Sequence, residues 1–379
     1  DAIQLAQRLA NQFGGRVHAH ARFGTAIWLV EEDEKLHLDF ATARTEFYEY
    51  PSALPDVERS SIKLDLHRRD FTINTLAIRL TPARWGELLD FYGGRKDLDE
   101  GLIRVLHSLS FVEDPTRILR AVRFEQRFNF QIEPRTEELI GNALDLLDRV
   151  SAERVRHEIE LILAEAAPER TCCRLAEMGV LAILHPDLRC DGWFQTTAVE
   201  LRKQLAQTGA SAPQPTSPVT LADDQLPALY IALLTYQMPA ESLKAFVEKY
   251  RMRTSYRELL AEVARLREKL PRLERAGLKP SEIVALLDET SDAARLVIGV
   301  ATDSWLVRQH LDQYQRSLCR VRPALTGDDL RRRGLPPGRI YSHILNRLRT
   351  ALLDGEISSR QDEEQLVAEI CAEQPRLSM

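Results

Sequence analysis

The sequence lacks the features that would indicate a membrane span, secretion or a zinc site. No apolar run approaches the roughly 18 residues that suggest a transmembrane helix. No charged-then-apolar amino terminus resembles a signal peptide. The five cysteines are an odd number without zinc-ligand spacing: Cys172, Cys173, Cys190, Cys319 and Cys371. We therefore expect a cytoplasmic protein whose thiols are reduced.

An excess of positive charge is also missing, since the formal net charge is −6. This argues against broad nucleic-acid binding, because contacts with phosphates need Lys and Arg. Arginines nevertheless cluster at positions 68–69, 117–123, 154–156 and 331–333. Any contact with nucleic acid is therefore expected to be confined to one face.

The 379 residues are 44% hydrophobic and 28% charged, an ordinary globular composition with room for two or three domains. An amphipathic helix and short alternating segments predict a mixed α/β unit at 1–106. Helical spacing dominates from Asp114 onward and predicts a helical segment at 107–206. A stretch rich in Pro, Ser, Thr and Ala predicts a linker at 207–222, followed by more helices at 223–379.

Asp39 lies on an apolar strand pattern and faces the opposite way from its two neighbours. Its carboxylate could help hold Mg²⁺, a hard ion that prefers oxygen ligands. The alternative is an edge-strand Asp that pairs with Arg44.

A second group of polar residues falls in one turn or strand entry, at Arg68, Arg69, Asp70 and Asn74. Arginine can form paired hydrogen bonds with phosphate oxygens, and asparagine can bond a ribose hydroxyl. The alternative is an Asp–Arg pair beside an asparagine turn.

A third group recurs every third residue, at Asp114, Arg117, Arg120 and Arg123. On a helix it makes a slanting stripe of one acid and three guanidinium groups. Asp114 before Pro115 is typical of a helix start. A capped helix with solvated ion pairs is the alternative, although arginine at all three basic positions favours bidentate recognition.

With these groups in place, the sequence closely resembles the class II tRNA nucleotidyltransferase and bacterial poly(A) polymerase family. Arg-Arg-Asp-Phe-Thr-Ile-Asn at 68–74 matches its motif B, and Asp-Phe-Tyr-Gly-Gly-Arg-Lys-Asp-Leu at 90–98 matches motif C. The segment 113–124 matches motif D, and Ser-Ala-Glu-Arg-Val-Arg-His-Glu at 151–158 is similar to motif E. The four motifs stand in the family's order, and the resemblance covers residues 1 to about 190 firmly.

The resemblance implies an α+β fold, with a nucleotidyltransferase head of mixed β-sheet and helices before an all-α neck, body and tail. It implies Mg²⁺-dependent, template-independent addition of CMP or AMP, from CTP or ATP, to the 3′ end of tRNA. Asp39 would be the catalytic and metal-binding carboxylate. The nucleotide would be bound by Arg68, Arg69, Asp70, Asn74, Glu113, Asp114, Arg117, Arg120 and Arg123, and the neck motif would supply Glu153, Arg154 and Arg156.

The family resemblance also gives a logic for the Asp114/Arg117 pair. Adenine and cytosine both present an exocyclic amino donor beside a ring-nitrogen acceptor, whereas guanine and uracil present the reverse. A carboxylate beside a guanidinium matches A and C, and leaves unpaired groups against G or U, at about 1–3 kcal/mol each. Arg120 and Arg123 would then reach the triphosphate.

One family element departs from the pattern. Motif A combines a Gly-Gly-Xaa-Val-Arg-Asp turn with an Asp-Xaa-Asp strand just before the helix with which this chain begins, and neither precedes that helix here. We therefore expect an amino-terminally truncated chain that lacks its principal Mg²⁺ ligands and is inactive alone. The carboxy-terminal part resembles the longer members, which carry DHH and CBS domains upstream.

Two other functions remain open from the sequence. One is a tRNA- or RNA-binding fragment without catalysis, in which the helical tail with its arginines at 331–333 and Arg339 grips the backbone. The other is a poly(A) polymerase that acts on other RNA.

Overall fold

A computed structural model describes residues 1–30, 36–47, 56–210, 225–335 and 338–373. Within these residues, strands are confined to positions before 133, and helices dominate thereafter. The chain divides into two compact units. Unit 1 comprises Asp1–Cys190 and Lys249–Arg251, and unit 2 comprises Asp191–Glu248 and Met252–Met379.

Unit 1 contains all the described strands and the shorter helices. The strands are β1 Arg16–His20, β2 Thr25–Leu29, β3 His37–Ala41, β4 Arg44–Phe47, β5 Asp56–Arg59, β6 Ala77–Ile78, β7 Leu88–Leu89, β8 Leu102–Ile103 and β9 Gln131–Ile132. The helices are α1 Ala2–Phe13, α2 Ile62–His67, α3 Gly94–Glu100, α4 Ser110–Glu113, α5 Thr116–Phe128, α6 Pro134–Ala143, α7 Ala152–Leu163, α8 Pro168–Glu177 and α9 Val180–Leu184. Short 3₁₀ turns lie at Ala21–Phe23, Thr72–Thr75, Pro82–Arg84 and Leu144–Arg149.

The largest sheet of unit 1 is antiparallel, in the order β1-β2-β3. In its register Ile27 of β2 lies opposite Asp39 of β3. Helix α1 packs on one face, where Ala6 meets Ala26 and Trp28 in a small buried core. This packing explains why the apolar stripe of α1 precedes alternating strands in the sequence.

Helix α5 is central to the rest of unit 1. It packs against α7 and α8, and Ile118, Leu119 and Val122 are fully buried. Val122 lies four positions after Ile118 and three after Leu119, the spacing that places side chains on one helix face. The apolar side of α5 thus fixes the direction in which its polar side chains point.

Unit 2 is helical throughout its described part. Its helices are α10 Gly192–Ala210, α11 Gln225–Leu234, α12 Ala240–Lys249, α13 Thr254–Leu273, α14 Pro280–Leu287, α15 Asp292–Ala301, α16 Trp305–Arg316, α17 Gly327–Arg332, α18 Arg339–Leu353 and α19 Arg360–Glu373, with a 3₁₀ turn at Leu318–Arg320. The long α13 packs against α11, α14, α15 and α16. Helices α17 to α19 enclose their own core, which includes Leu330, Ile344 and Leu348.

The predicted α+β fold class is confirmed, because small sheets occur in the amino-terminal part and helices follow. The predicted linker at 207–222 lies outside the described residues from position 211 onward. None of the described helices combines the length and the apolar character needed to cross a membrane.

The expectation of reduced thiols is wrong for one pair of cysteines. Cys173 of α8 and Cys190 form a disulfide bond, with their Cα atoms 4.9 Å apart. Packing of α9 returns the chain to α8 and brings the two residues together. Cys172, Cys319 and Cys371 are free.

Candidate nucleotide-binding site

The turn at 68–74 is organised around the carboxylate of Asp70, which is 9% exposed. One of its oxygens accepts hydrogen bonds from the Phe71 backbone at 2.9 Å and from the Asn74 amide at 2.8 Å. The other accepts from Nε and Nη2 of Arg120, at 2.8 and 2.6 Å. Burial favours the neutral acid, but the Arg120 charge and these hydrogen bonds outweigh it and hold the pKa of Asp70 below its usual value.

The segment 90–98, which includes the start of α3, packs against that turn. The Asp90 carboxylate accepts hydrogen bonds from the backbone N–H groups of Gly94 and Arg95, at 2.9 and 3.1 Å. Gly94 lies so close to the turn that a Cβ atom would meet the Thr72 carbonyl oxygen at 2.2 Å. The Thr72 hydroxyl donates to the buried carboxylate of Asp97 at 2.6 Å. Motif C therefore fixes the position of motif B.

Arg68 and Arg69 follow α2 and have different surroundings. The Arg68 guanidinium donates to Asp65, at 2.9 Å from Nη2, and is half-buried. The Arg69 side chain is 45% exposed, with Nη1 3.3 Å from the Asn74 carbonyl. Arg69 is thus the arginine of this turn that is open to a phosphate in solution.

The Asp114 side chain is 19% exposed and makes its hydrogen bonds through one carboxylate oxygen. Oδ1 accepts from the Thr116 backbone at 3.0 Å and the Thr116 hydroxyl at 2.6 Å, and it pairs with Nη2 of Arg154 at 2.7 Å. Oδ2 accepts no hydrogen bond from any residue in the described ranges. Both hydrogen bonds from Thr116, the first residue of α5, go to Oδ1.

Arg117 is buried, with 5% of its surface exposed. Its Nη1 donates to the Ser110 hydroxyl at 2.7 Å, and its Nη2 donates to the Arg68 carbonyl at 2.8 Å. Nη1 also lies 3.9 Å from Glu113. In this conformation Arg117 links motif D to motif B, and the guanidinium paired with Asp114 is that of Arg154.

Glu113 also faces His107, whose Nε2 lies 3.5 Å away. Burial lowers the pKa of His107 to about 4, and the nearby charges of His67 and Arg117 add to the effect. His107 is therefore neutral at pH 7, so this contact is not an ion pair there.

The two remaining arginines of the stripe differ in exposure. Arg120 retains 30% exposure of its side chain beyond its bonds to Asp70. Arg123 is 4% exposed and pairs with Glu158 at 3.2 Å and Glu165 at 3.6 Å. Its guanidinium points towards these carboxylates of α7 and its end, so the expected contact with a triphosphate does not fit this conformation.

The neck motif contributes Glu153 and Arg154 to a pocket of about 430 Å³ that Asp114 and Arg120 also line. Arg156 of the same motif is not among the lining residues. Thr116, His157 and Glu158 line the pocket as well, and sequence reasoning did not select them. The position of His157, one helical turn after Glu153 and Arg154, is the signal that could have found it.

Arg156 serves packing within unit 1 instead. Its Nη1 donates to the backbone carbonyls of Tyr250, at 3.3 Å, and Arg251. Its guanidinium lies 3.5 Å from the buried Glu160.

Asp39 is exposed on β3. No ion pair joins it to Arg44 among the described contacts, in which Arg44 donates to the Phe23 carbonyl at 2.6 Å. Within the described ranges, no group of three or more His, Cys, Asp or Glu side chains could hold a metal ion. The metal role of Asp39 stays a prediction.

The site as a whole brings motifs B, C, D and E together in unit 1. Asp114, Arg154 and Arg120 line one pocket, where they offer one acceptor and several donors. An acceptor beside donors can recognise a polar heterocycle edge, and arginines can neutralise phosphates.

Comparison with known proteins shows which family this chain resembles. Residues 1–104 match the poly A polymerase head domain, and residues 129–191 match the probable RNA and SrmB-binding site of polymerase A. An A-adding tRNA nucleotidyltransferase of Geobacter sulfurreducens is 38% identical over 376 residues, and one of Halalkalibacterium halodurans is 31% identical over 378 residues. These alignments cover 96% and 97% of this chain, which spans 41% of the first relative's length and 82% of the second's.

Solved structures give the same result. A CCA-adding enzyme in complex with ATP superposes with a TM-score of 0.76 at 31% identity, over 99% of this chain and 85% of that one. The Thermotoga maritima CCA-adding enzyme in complex with tRNA superposes with a TM-score of 0.72 at 29% identity, over 97% of this chain and 84% of that one. The chain therefore belongs to the family of tRNA nucleotidyltransferases and bacterial poly(A) polymerases.

Proposed function

We propose that the protein adds CMP or AMP, without a nucleic-acid template, to the 3′ end of tRNA. In this reaction the RNA 3′-hydroxyl attacks the α-phosphorus of CTP or ATP, and pyrophosphate leaves. The observation that carries the proposal is the Asp114 carboxylate, which has one oxygen used in capping and one oxygen available at a pocket. The names of the relatives and the ATP, CTP and tRNA complexes of the structural neighbours support it.

The available oxygen of Asp114 suits the amino group that adenine and cytosine share. A guanidinium beside it would donate to the ring nitrogen of the same base. The sequence predicts Arg117 for this role, and the structure places Arg154 at Asp114, so two arginines compete for it. Guanine or uracil would set a carbonyl against the carboxylate, and unpaired groups of this kind oppose binding.

The remaining residues would hold the phosphates and sugar of the nucleotide. Arg69 is 45% exposed, beyond its 3.9 Å pairing with Asp65, and would approach a phosphate, and Asn74 is oriented by its bond to Asp70. Arg120 would contact the triphosphate with the part of its side chain that remains exposed beside Asp70. Arg123 and Arg68 would act indirectly, by fixing α7 and α2.

The family implies a bound Mg²⁺, and the described residues fit it only in part. Asp39 offers one exposed carboxylate, but the described ranges contain no cluster of metal ligands around it.

The tail of unit 2 offers a basic surface for tRNA. Arg332 and Arg333 pair with Asp329 and Glu364, at 3.1 and 2.9 Å. The exposed Arg331 and Arg339, in contrast, make no ion pair with the described residues. These two positions favour contact with an RNA backbone.

RNA binding without catalysis is the second candidate function because this surface needs no nucleotide site. An enzyme acting on tRNA would also be placed in the cytoplasm.

The test is incorporation of each of the four labelled nucleotides by the full-length protein into tRNA that ends before, within or after the CC sequence. The proposal expects AMP or CMP, but neither GMP nor UMP, to enter. Addition of AMP only to tRNA that ends in CC would define an A-adding enzyme. If tRNA binds with a steep salt dependence but no nucleotide is incorporated, the second function is correct instead.

A further inference from the structure

The disulfide of unit 1 joins two positions of unlike accessibility. Cys173 lies in the middle of α8 and is 7% exposed, whereas Cys190 lies 17 residues later and is half-buried. We propose that Cys173 and Cys190 form a reversible redox site, which fastens the segment between them to α8 when it is oxidised and releases that segment when it is reduced.

The neighbouring cysteine does not compete for this pairing. Cys172 is fully buried, and burial together with the charge of Glu169 raises the pKa of its thiol to about 12. The thiolate is the nucleophile in thiol–disulfide exchange, so Cys172 is unreactive at neutral pH. Cys319 and Cys371 belong to unit 2. Because Cys172 is unreactive, Cys173 and Cys190 are the reactive pair of unit 1.

The bond closes over a short segment that has little local stability of its own. The segment contains α9, a helix of five residues, which is too short to persist without tertiary contacts. Three of its side chains, Val180, Leu181 and Leu184, are at most 3% exposed, and Leu188 beyond it is 4% exposed. Reduction leaves these apolar contacts in place but removes the covalent restraint on the segment, so local opening becomes more frequent.

The restraint acts close to the nucleotide site because α8 is tied to the recognition helix. Arg174, which follows Cys173 directly, donates to Glu125 of α5 at 3.1 Å and to Glu137 of α6 at 2.5 Å. Helix α5 carries Arg117 and Arg120. Arg174 therefore links the helix of Cys173 to the helix whose Arg117 contacts motif B.

Oxidation proceeds by exchange with a small-molecule disulfide such as oxidised glutathione. The more accessible Cys190 thiolate attacks one sulfur, forms a mixed disulfide and releases one thiolate. The Cys173 thiolate then attacks the Cys190 sulfur and releases the second thiolate, and the two released thiolates take up the two protons that the cysteines lose. Cytosolic disulfides are usually transient, so a reversible Cys173–Cys190 bond agrees with the proposed cytoplasmic location. This one argument rests on the proposed function.

The test is a redox titration of the purified chain in mixtures of reduced and oxidised glutathione. Free thiols are blocked, and the proteolytic peptides are then read by mass spectrometry without reduction. We expect a peptide that joins Cys173 to Cys190 in oxidising buffer and its loss under reduction. We also expect a melting temperature about 5–10 °C higher in the oxidised form, the size expected for a closed loop of this length. Absence of that peptide, or pairing of Cys190 with another cysteine, would overturn the proposal.

Two variants separate the cross-link from other effects of the redox buffer. Cys190→Ser should melt at the temperature of the reduced parent in both buffers. Cys319→Ser should keep the full difference between buffers, because its thiol is outside the pair. Equal melting temperatures of the oxidised and reduced parent would contradict the proposed restraint. Nucleotide specificity is measured in a separate experiment, so failure of the proposed nucleotidyltransferase function would not affect the interpretation of the redox titration.

Discussion

Gly94, the first residue of α3, has no space for a methyl group. A Cβ atom there would lie 2.2 Å from the carbonyl oxygen of Thr72 and 3.0 Å from its carbonyl carbon. Both atoms belong to the backbone, so no rotamer change can relieve the contact. Gly94→Ala must therefore displace the turn that carries Asp70 and Asn74, or displace α3 together with the Asp97 carboxylate that bonds Thr72.

The cost of Gly94→Ala can be estimated from this contact. Overpacking a filled site costs about 1–3 kcal/mol, and a backbone clash belongs at the upper end of that range. For a unit of this size such a loss lowers the melting temperature by about 5–10 °C. Because the turn also orients Arg69 and Asn74, the affinity for ATP should fall as well. Thermal melting and equilibrium nucleotide binding measure the two effects.

Gly141→Ala is the matched control, because Gly141 is exposed within α6 and no atom lies within 4 Å of the added methyl group. That variant should be neutral or stabilised by up to about 1 kcal/mol, since alanine favours helix more than glycine. If Gly94→Ala melts at the temperature of Gly141→Ala and binds ATP normally, the inferred support of motif B by motif C is wrong.

Three further substitutions test other parts of the site. Arg120→Ala should lower the free energy of unfolding in urea by about 3–5 kcal/mol, because it leaves the buried Asp70 carboxylate without its cation. The control Arg127→Ala, at an exposed position, should lower it by about 1 kcal/mol or less. Equal losses would contradict the role of Arg120 as the partner of Asp70. The folded pKa of His107 is about 4, below its ordinary 6.5, so the unfolded chain binds a proton first as the pH falls. Stability should be full above pH 6.5 and fall by about 3 kcal/mol towards pH 4, and His107→Gln should flatten that slope in acid titrations. Arg117→Ala should reduce both the rate of addition and the preference for A and C over G and U in the full-length protein, and an unchanged preference would assign base recognition to Arg154.

Local sequence signals were sufficient to predict the elements of the site. Asp114 and Pro115 marked the start of α5, and its apolar spacing gave the helix its length. The polar segment at 68–74 was predicted as a turn or a strand entry, and it forms a turn after α2. These features depend on neighbours within a few positions, which the sequence displays directly.

The partners of the site residues could not be predicted in the same way. A spacing of three residues rotates each side chain by about 60° relative to the last one on a helix, so Arg117 and Arg123 are about 120° apart and cannot share one surface. Packing of α7 then covers Arg123 and brings Arg154 to Asp114, 40 positions away. The Cys173–Cys190 bond is likewise set by tertiary packing, since a separation of 17 residues matches no recurring motif.

The Asp114 carboxylate gives the most direct test of base recognition. Asp114→Asn should keep the helix start, because asparagine caps helices about as well as aspartate, but it can place an amide donor where the free oxygen stood. The measurement is equilibrium binding of ATP, CTP, GTP and UTP to the chain, with the exposed Asp99→Asn as control. We predict that the parent and the control prefer ATP and CTP by about 5–150-fold, as unpaired groups costing 1–3 kcal/mol imply, and that Asp114→Asn loses most of that preference. An unchanged preference in a folded Asp114→Asn variant would contradict the account.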